Sequence, residues 1–409
     1  MLRKGKFYVG LQVLHIMPAI LGVLSLTACQ GKSLQDTTEV VDTVVHLDEI
    51  EAEESMTTEE TMIQEQSEEE SIEETEQTGL YYGYSVISPK QQNLYREIYR
   101  ALTDCEEYVE VSTLKTEELN YVFNCVMNDH PELFYVDGYQ YKKYSVGDVV
   151  TKLYFYGNYT MHGAQIEQYK VRIEQRVSEI LDILPDTTDE YEIAKAAYEY
   201  IIHETQYDLD AENNQNICSV FLGNKSVCQG YAKAYQYLLQ RSGIQAVLIT
   251  GTANQDGHAW NLVKINGKYY YVDVTWGDAS YILSDNQENT SMPPINYDYL
   301  LVTTEDICET HQIDELYVLP ECTATEDNYY VREGLFLSYY DETKLATIFE
   351  KAYEANNNYV TIKCLDDLIY EDVREKLMDE QRVFEFIKGQ GEQITYTENK
   401  QQRTISFWI

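Results

Sequence analysis

A thiol, an imidazole and a carboxylate follow one another along this chain in an order that covalent acyl chemistry could use: Cys228, His258 and Asp273. A cysteine attacks as its thiolate, so the first question is what would favour that form. Ser226-Val227-Cys228-Gln229 has the Ser-x-x-Gln spacing of a capping box, with Ser226 as N-cap and Gln229 at the third helical position. Tyr231, Ala232, Tyr235, Leu238 and Leu239 continue the helical spacing, which stops near Gly243. Cys228 then stands in the first turn, where unpaired backbone N–H groups and the positive end of the helix dipole favour negative charge. It shares a face with Ala232, Tyr235 and Leu239 and so looks inward. A buried structural cysteine is the plain alternative.

His258 and Asp273 flank an Asn266-Gly267 pair between two alternating apolar runs, the strongest short hairpin signal. A two-residue turn sets Ile265 opposite Lys268. Trp260 then faces Asp273, and His258 faces Thr275 on a return strand that runs from 268 to 275. His258 and Asp273 become diagonal neighbours on one face, roughly 7–8 Å apart at the backbone. An imidazole and a carboxylate span that gap with a hydrogen bond, provided that no bulge shifts the register. The set is what a cysteine nucleophile needs: thiolate, base and a group that orients the base.

The elements that would position these groups can be read around them. Helical periodicity begins with Leu94, Tyr95, Ile98, Tyr99 and Leu102, and resumes with Leu119, Val122, Phe123, Val126 and Met127. Asp129-His130-Pro131-Glu132 marks a helix stop, and His130 beside the proline reads as a capping or packing residue. Residues 149–159 alternate like a strand, 166–184 form an amphipathic helix ended by Pro185, and 190–205 form another. Residues 246–250 read as a strand. Residues 335–408 read as strand, helix, strand, helix, strand, strand, the last two at 393–397 and 404–408. The expected divisions are a signal at 1–28, a linker at 29–79, a mainly helical domain at 80–185, a core at 186–315 and a small α/β module at 316–409.

The N-terminus has a basic start (Arg3, Lys4, Lys6), an apolar run from Phe7 to about Leu26, and then Leu26-Thr27-Ala28-Cys29. This is the layout of an export signal. The last four residues resemble a bacterial lipobox, which implies cleavage before Cys29 and a lipid on its thiol. An uncleaved anchor is the alternative, and either places the chain on the outer face of the cytoplasmic membrane. Residues 34–89 contain no Lys or Arg and are dense in Glu, Thr, Ser and Gln over 47–79, the composition of a solvated spacer.

The 409 residues carry 70 acidic and 30 basic side chains, a formal charge of −40 that disfavours a nucleic-acid partner. Tyrosine (38) and phenylalanine (10) provide material for packed cores. The remaining Cys and His show no zinc-ligand spacing and no EF-hand loop is present, so neither a metal nor another cofactor is expected. Cys105, Cys125, Cys218, Cys308, Cys322 and Cys364 leave disulfide pairing open.

Gly223-Asn224-Lys225-Ser226-Val227-Cys228-Gln229-Gly230-Tyr231-Ala232 resembles the nucleophile motif of bacterial transglutaminase-like proteins. Gly257-His258-Ala259-Trp260-Asn261 is similar to their histidine motif, and Tyr271-Val272-Asp273-Val274-Thr275-Trp276 to their aspartate motif. The resemblance covers 190–280 strongly and 90–185 loosely. It implies an α+β, papain-like core with the nucleophile helix on an antiparallel sheet. In it Cys228 is the nucleophile, His258 the general base and acid, and Asp273 the orienting carboxylate. Gln215 stands where many members have a polar residue, and would donate to an oxyanion or cap a helix; Trp260 and Trp276 would wall the cleft or simply pack the sheet. Asn216-Ile217-Cys218 departs from the family's usual Ser and aromatic. The implied activity is acyl transfer or hydrolysis on protein or peptide amides at the cell envelope. A non-catalytic surface lipoprotein on the same fold is the alternative.

Overall fold

The computed structural model describes residues 79–278, 293–388 and 394–409, with the backbone of a short strand at Glu39–Val40. The expected signal, Cys29 and nearly all of the expected linker lie outside the described residues. The chain divides into two compact units, one of residues 1–79 and 83–166, the other of 80–82 and 167–409. No helix among the described residues is long and apolar enough to cross a membrane.

In the first unit, helix α1 (Pro89–Asp104) is started by a true capping box between Ser88 and Gln91, with proline at its first position. Helix α2 is Thr116–Asp129. A long hairpin follows, β1 (Val136–Val146) and β2 (Val149–Tyr159). The alternation of β1 rests on buried Tyr139 and Tyr141 among lysines, and register shifts break it between Val136 and Tyr139 and between Tyr144 and Ser145, so sequence periodicity shows only β2. His130 closes α2 and stacks on Tyr99 at 4.1 Å, a packing role. Asp129 is buried and accepts from the backbone N–H groups of Gly83 and Tyr84 and from the Tyr95 hydroxyl. Burial pushes its carboxyl up to about 6, against the charge of His130 and those three hydrogen bonds.

The second unit starts with helices α3 (Ala164–Leu181), α4 (Glu190–Glu204), α5 (Ile217–Gly223) and α6 (Cys228–Arg241). Helix α6 is buried from Gly230 to Leu239 because α4, α5 and a sheet all pack on it. Even Lys233 is enclosed, and burial pushes its ammonium down to about 8. The sheet is antiparallel and holds β3 (Ala246–Ala253), β4 (Asp256–Ile265), β5 (Lys268–Val272) and β6 (His311–Ile313) in the order β6-β3-β4-β5. Asn266 and Gly267 form the tight turn between β4 and β5 with φ of 50° and 78°, the left-handed pair that a type I′ turn requires. Ile265 lies opposite Lys268, as the two-residue turn dictates. The strand stops at Val272, however, and helix α7 (Val274–Gly277) begins at once.

Residues 335–409 add a second four-stranded sheet, β7 (Phe336–Leu337), β8 (Tyr359–Cys364), β9 (Tyr396–Asn399) and β10 (Thr404–Trp408), in the order β7-β8-β10-β9. Helix α8 (Glu342–Glu354) fills its core through Leu345, Ile348 and Phe349. Two buried aspartates join this layer to the first sheet. Asp298 accepts from Tyr330, Asn399 and Thr404 at 2.7, 2.8 and 3.0 Å. Asp306 pairs with Arg403 and with Lys363, while its carbonyl takes the Gln402 amide at 2.9 Å. Residues 167–409 thus hold both the core expected over 186–315 and the module expected after it in one compact unit. None of the seven described cysteines forms a disulfide.

Candidate active site

Cys228 opens helix α6 at its first position and is buried. Contrary to the capping-box reading, the N-cap is Val227, which offers no side-chain cap, and Ser226 is turned away. The Ser226 hydroxyl is drawn instead to the Asn214 carbonyl at 2.8 Å and to Ser219 Oγ at 2.7 Å. The Val227 N–H also donates to that Asn214 carbonyl. A turn at residues 212–215 is therefore clamped against the start of α6. Gln215 lies in it, half-buried. It does not cap a helix, because Asn216 caps α5 by accepting from the Cys218 N–H.

Gly230 makes the clamp possible. A methyl group there would stand 1.9 Å from Ser226 Oγ and 2.8 Å from the Asn214 oxygen, so only glycine fits two residues beyond the thiol. Gly230→Ala is expected to cost about 1–3 kcal/mol through overpacking, read as a lower denaturant midpoint, and to displace the 212–215 turn.

His258 and Asp273 are brought together. His258 Nε2 lies 2.7 Å from Asp273 Oδ2, with the two side chains 3% and 0% exposed. They do not meet as strand neighbours, because Asp273 has left the strand to cap α7. Its Oδ1 accepts from the N–H groups of Thr275 and Trp276 at 2.9 and 3.1 Å, and its own N–H donates to the Tyr299 carbonyl at 3.0 Å. The expected opposition of His258 and Thr275 is absent for the same reason. Burial alone would raise the Asp273 carboxyl. The charge of His258 and the hydrogen bonds from His258 and His311 outweigh that and hold it far below the usual carboxylate range. An ionised carboxylate only accepts, so His258 donates from Nε2 and its Nδ1 carries the lone pair that can take a proton.

The second histidine on Asp273 was not foreseen. His311 Nε2 lies 3.0 Å from the same Oδ2, fully buried, and its Nδ1 is 2.8 Å from Thr310 Oγ1. The sheet explains how it gets there. His258 pairs with Gly251 and His311 with Ala253, so the two imidazoles rise from one face on either side of β3. Gly251 and Ala253 leave that face open, and the ring centroids come within 5.5 Å. Two small residues alternating on a strand were the available signal, but nothing tied them to a histidine so distant in the chain.

The tryptophans separate. Trp260 is fully buried and edge-on to His311 at 4.9 Å, a packing position beneath the histidines. Trp276 is half-buried, 6.0 Å from the His258 ring and 4.8 Å from that of His311, and flanks the site. Helix α6 is tied to this neighbourhood twice: Tyr231 donates to Asp278 at the end of α7 at 3.1 Å, and Asn261 of β4 donates to the Ala232 carbonyl at 3.1 Å. His258, Asp273 and His311 offer ligand atoms within 4.8 Å of one another and form the group among the described residues that could hold a metal ion. Their atoms are already engaged as hydrogen-bonded pairs.

Residues 181–274 match the family model of the transglutaminase-like superfamily. The chain carries a transglutaminase-like domain. The kyphoscoliosis peptidase of Mus musculus is 25% identical over 128 residues, 27% of this chain and 19% of that protein. The human kyphoscoliosis peptidase is 25% identical over 117 residues, 24% and 18% of the two chains. The chain thus spans under a fifth of the length of these relatives. A solved structure of a TGase superposes with a TM-score of 0.25 at 13% identity, over 34% of this chain and 51% of that one. The architecture is α+β, and the matched segment contains Cys228, His258 and Asp273.

Proposed function

We propose that the protein is a cysteine-dependent acyltransferase or amide hydrolase acting on protein or peptide substrates at the cell envelope, with Cys29 lipidated on the outer face of the cytoplasmic membrane. Cys228 Sγ attacks the amide carbonyl, the C–N bond breaks, and His258 delivers the proton to the departing amine. The resulting thioester passes its acyl group to a second amine or to water, and His258 Nδ1 takes the proton of that acceptor before returning it to the thiol. Asp273 holds His258 in the Nε2–H tautomer throughout. The observation that carries this reading is the buried His258–Asp273 hydrogen bond in a transglutaminase-like domain whose cysteine starts a helix.

The test is iodoacetamide labelling of the full chain in detergent from pH 5 to 9, resolved by peptide. Cys228 is expected to label well below the free-thiol pKa of about 8.5, and His258→Ala to slow it about a hundredfold at pH 6. Exposed Cys308, whose thiol is pushed up by burial and then by Glu309, is the internal control that labels only in alkali. Ordinary labelling at Cys228 would end the catalytic reading. Product analysis with and without a primary amine then separates transfer from hydrolysis.

A further inference from the structure

We propose that His311 is a positioning residue for Asp273, and that its N–H on the shared oxygen weakens the pull of that carboxylate on His258. The inference rests on the catalytic reading above and adds a member to its hydrogen-bonded chain.

Asp273 Oδ2 receives two imidazole N–H donors, at 2.7 Å from His258 and 3.0 Å from His311, while Oδ1 receives two backbone donors. Each donor withdraws charge from the carboxylate. A carboxylate with three donors besides His258 polarises that imidazole less than one with two. Removing His311 concentrates negative charge on the oxygen that faces His258, which favours the imidazolium and moves its midpoint upward. The donor also helps to hold Oδ2 between the two rings.

The tautomer of His311 follows from its partners. Nε2 must donate, because the oxygen it meets belongs to an ionised carboxylate, and Nδ1 accepts from Thr310 Oγ1 when the ring is neutral. Besides Cys228, whose thiol exchanges a proton with His258 in the reading above, the titratable groups packed here among the described residues include two phenols. Tyr198 donates to the Asn296 carbonyl at 2.7 Å and lies 3.5 Å from that of Asp273, and Tyr299 has its ring 5.8 Å from His311. Burial pushes both far up, so they stay neutral while the histidines titrate.

The experiment follows the seven histidines of the full chain by their ring carbon-bound protons over pH 5 to 9, with His258 assigned by its loss in His258→Ala. His311→Phe is expected to raise the His258 midpoint by about one pH unit. His311→Gln keeps an N–H for the same oxygen and is expected to hold the midpoint near that of the wild type. Equal midpoints in all three proteins would overturn the proposal, and so would a shift that His311→Gln fails to reverse. A purely structural His311 would instead lower the unfolding midpoint of both variants alike. If His311→Phe fails to fold, ring 15N shifts of the wild type decide: an Nε2–H tautomer of His311 supports the proposal and an Nδ1–H tautomer overturns it. Repeating the titrations in Cys228→Ala removes the thiol that exchanges a proton with His258, so failure of the labelling experiment remains distinguishable from failure here.

Discussion

Asp273→Asn is expected to lower the rate of Cys228 acylation by about 10²–10⁴ while leaving the fold recognisable. The amide oxygen can still accept from the Thr275 and Trp276 N–H groups, so α7 keeps its cap. The amide NH2 is then turned toward two Nε2 atoms that need an acceptor. His258 answers by moving its proton to Nδ1, the nitrogen that the proposed mechanism needs bare to take a proton from the thiol. Asp273→Ala loses more, because it also strips the cap, at a cost of about 0.5–2 kcal/mol. The two variants therefore separate tautomer control from helix capping. The acid dependence of stability should change with them. The carboxyl is depressed in the folded state, so the stability it contributes is complete above its unfolded value and is lost as the pH falls from about 4 downward. In Asp273→Asn that part of the acid slope disappears from unfolding curves taken between pH 2 and 5. An unchanged slope would show that the carboxylate is not held as described.

Removing residues 335–409 is expected to leave the transglutaminase-like domain unable to fold cooperatively. The deletion takes away Lys363 and Arg403 from Asp306, and Asn399 and Thr404 from Asp298, leaving two carboxylates in an interior with most of their partners gone. A single substitution makes the same point. Asp306→Ala strands Lys363 and Arg403, both under a tenth exposed, and should cost about 3–5 kcal/mol in guanidinium unfolding. A truncated protein with a sharp transition at the wild-type midpoint would show instead that the second sheet is an independent appendage.

The reading of the hairpin from sequence came close because an Asn-Gly turn leaves the chain little choice, and Ile265 does face Lys268. It failed three residues short of the end, at Val272 rather than Thr275. Val274-Thr275-Trp276 looks like more strand, but the Asp273 side chain outcompetes the ladder for the Thr275 and Trp276 N–H groups and starts a helix. Ser226 failed in the other direction. Its spacing to Gln229 is that of a capping box, yet the Asn214 carbonyl, distant in sequence and close in space, claims the hydroxyl. His311 could not be found locally, since its meaning depends on the small side chains of Gly251 and Ala253 across the neighbouring strand. The helices were plain because each buries a single periodic face, whereas β1 hides its period behind bulges and lysines.

The buttress on Asp298 also has a place in time. Tyr299, the next residue, supplies the carbonyl that holds the Asp273 N–H, and Asp298 itself is closed by Asn399 and Thr404. Synthesis runs from Cys228 towards Thr404, and at 5–20 residues per second the thiol precedes the last of these partners by about 10–35 s. During that interval the nascent chain has Cys228 but lacks the two C-terminal partners that close Asp298. Completion of the buttress beside the Asp273 turn thus waits on the last strand of the chain.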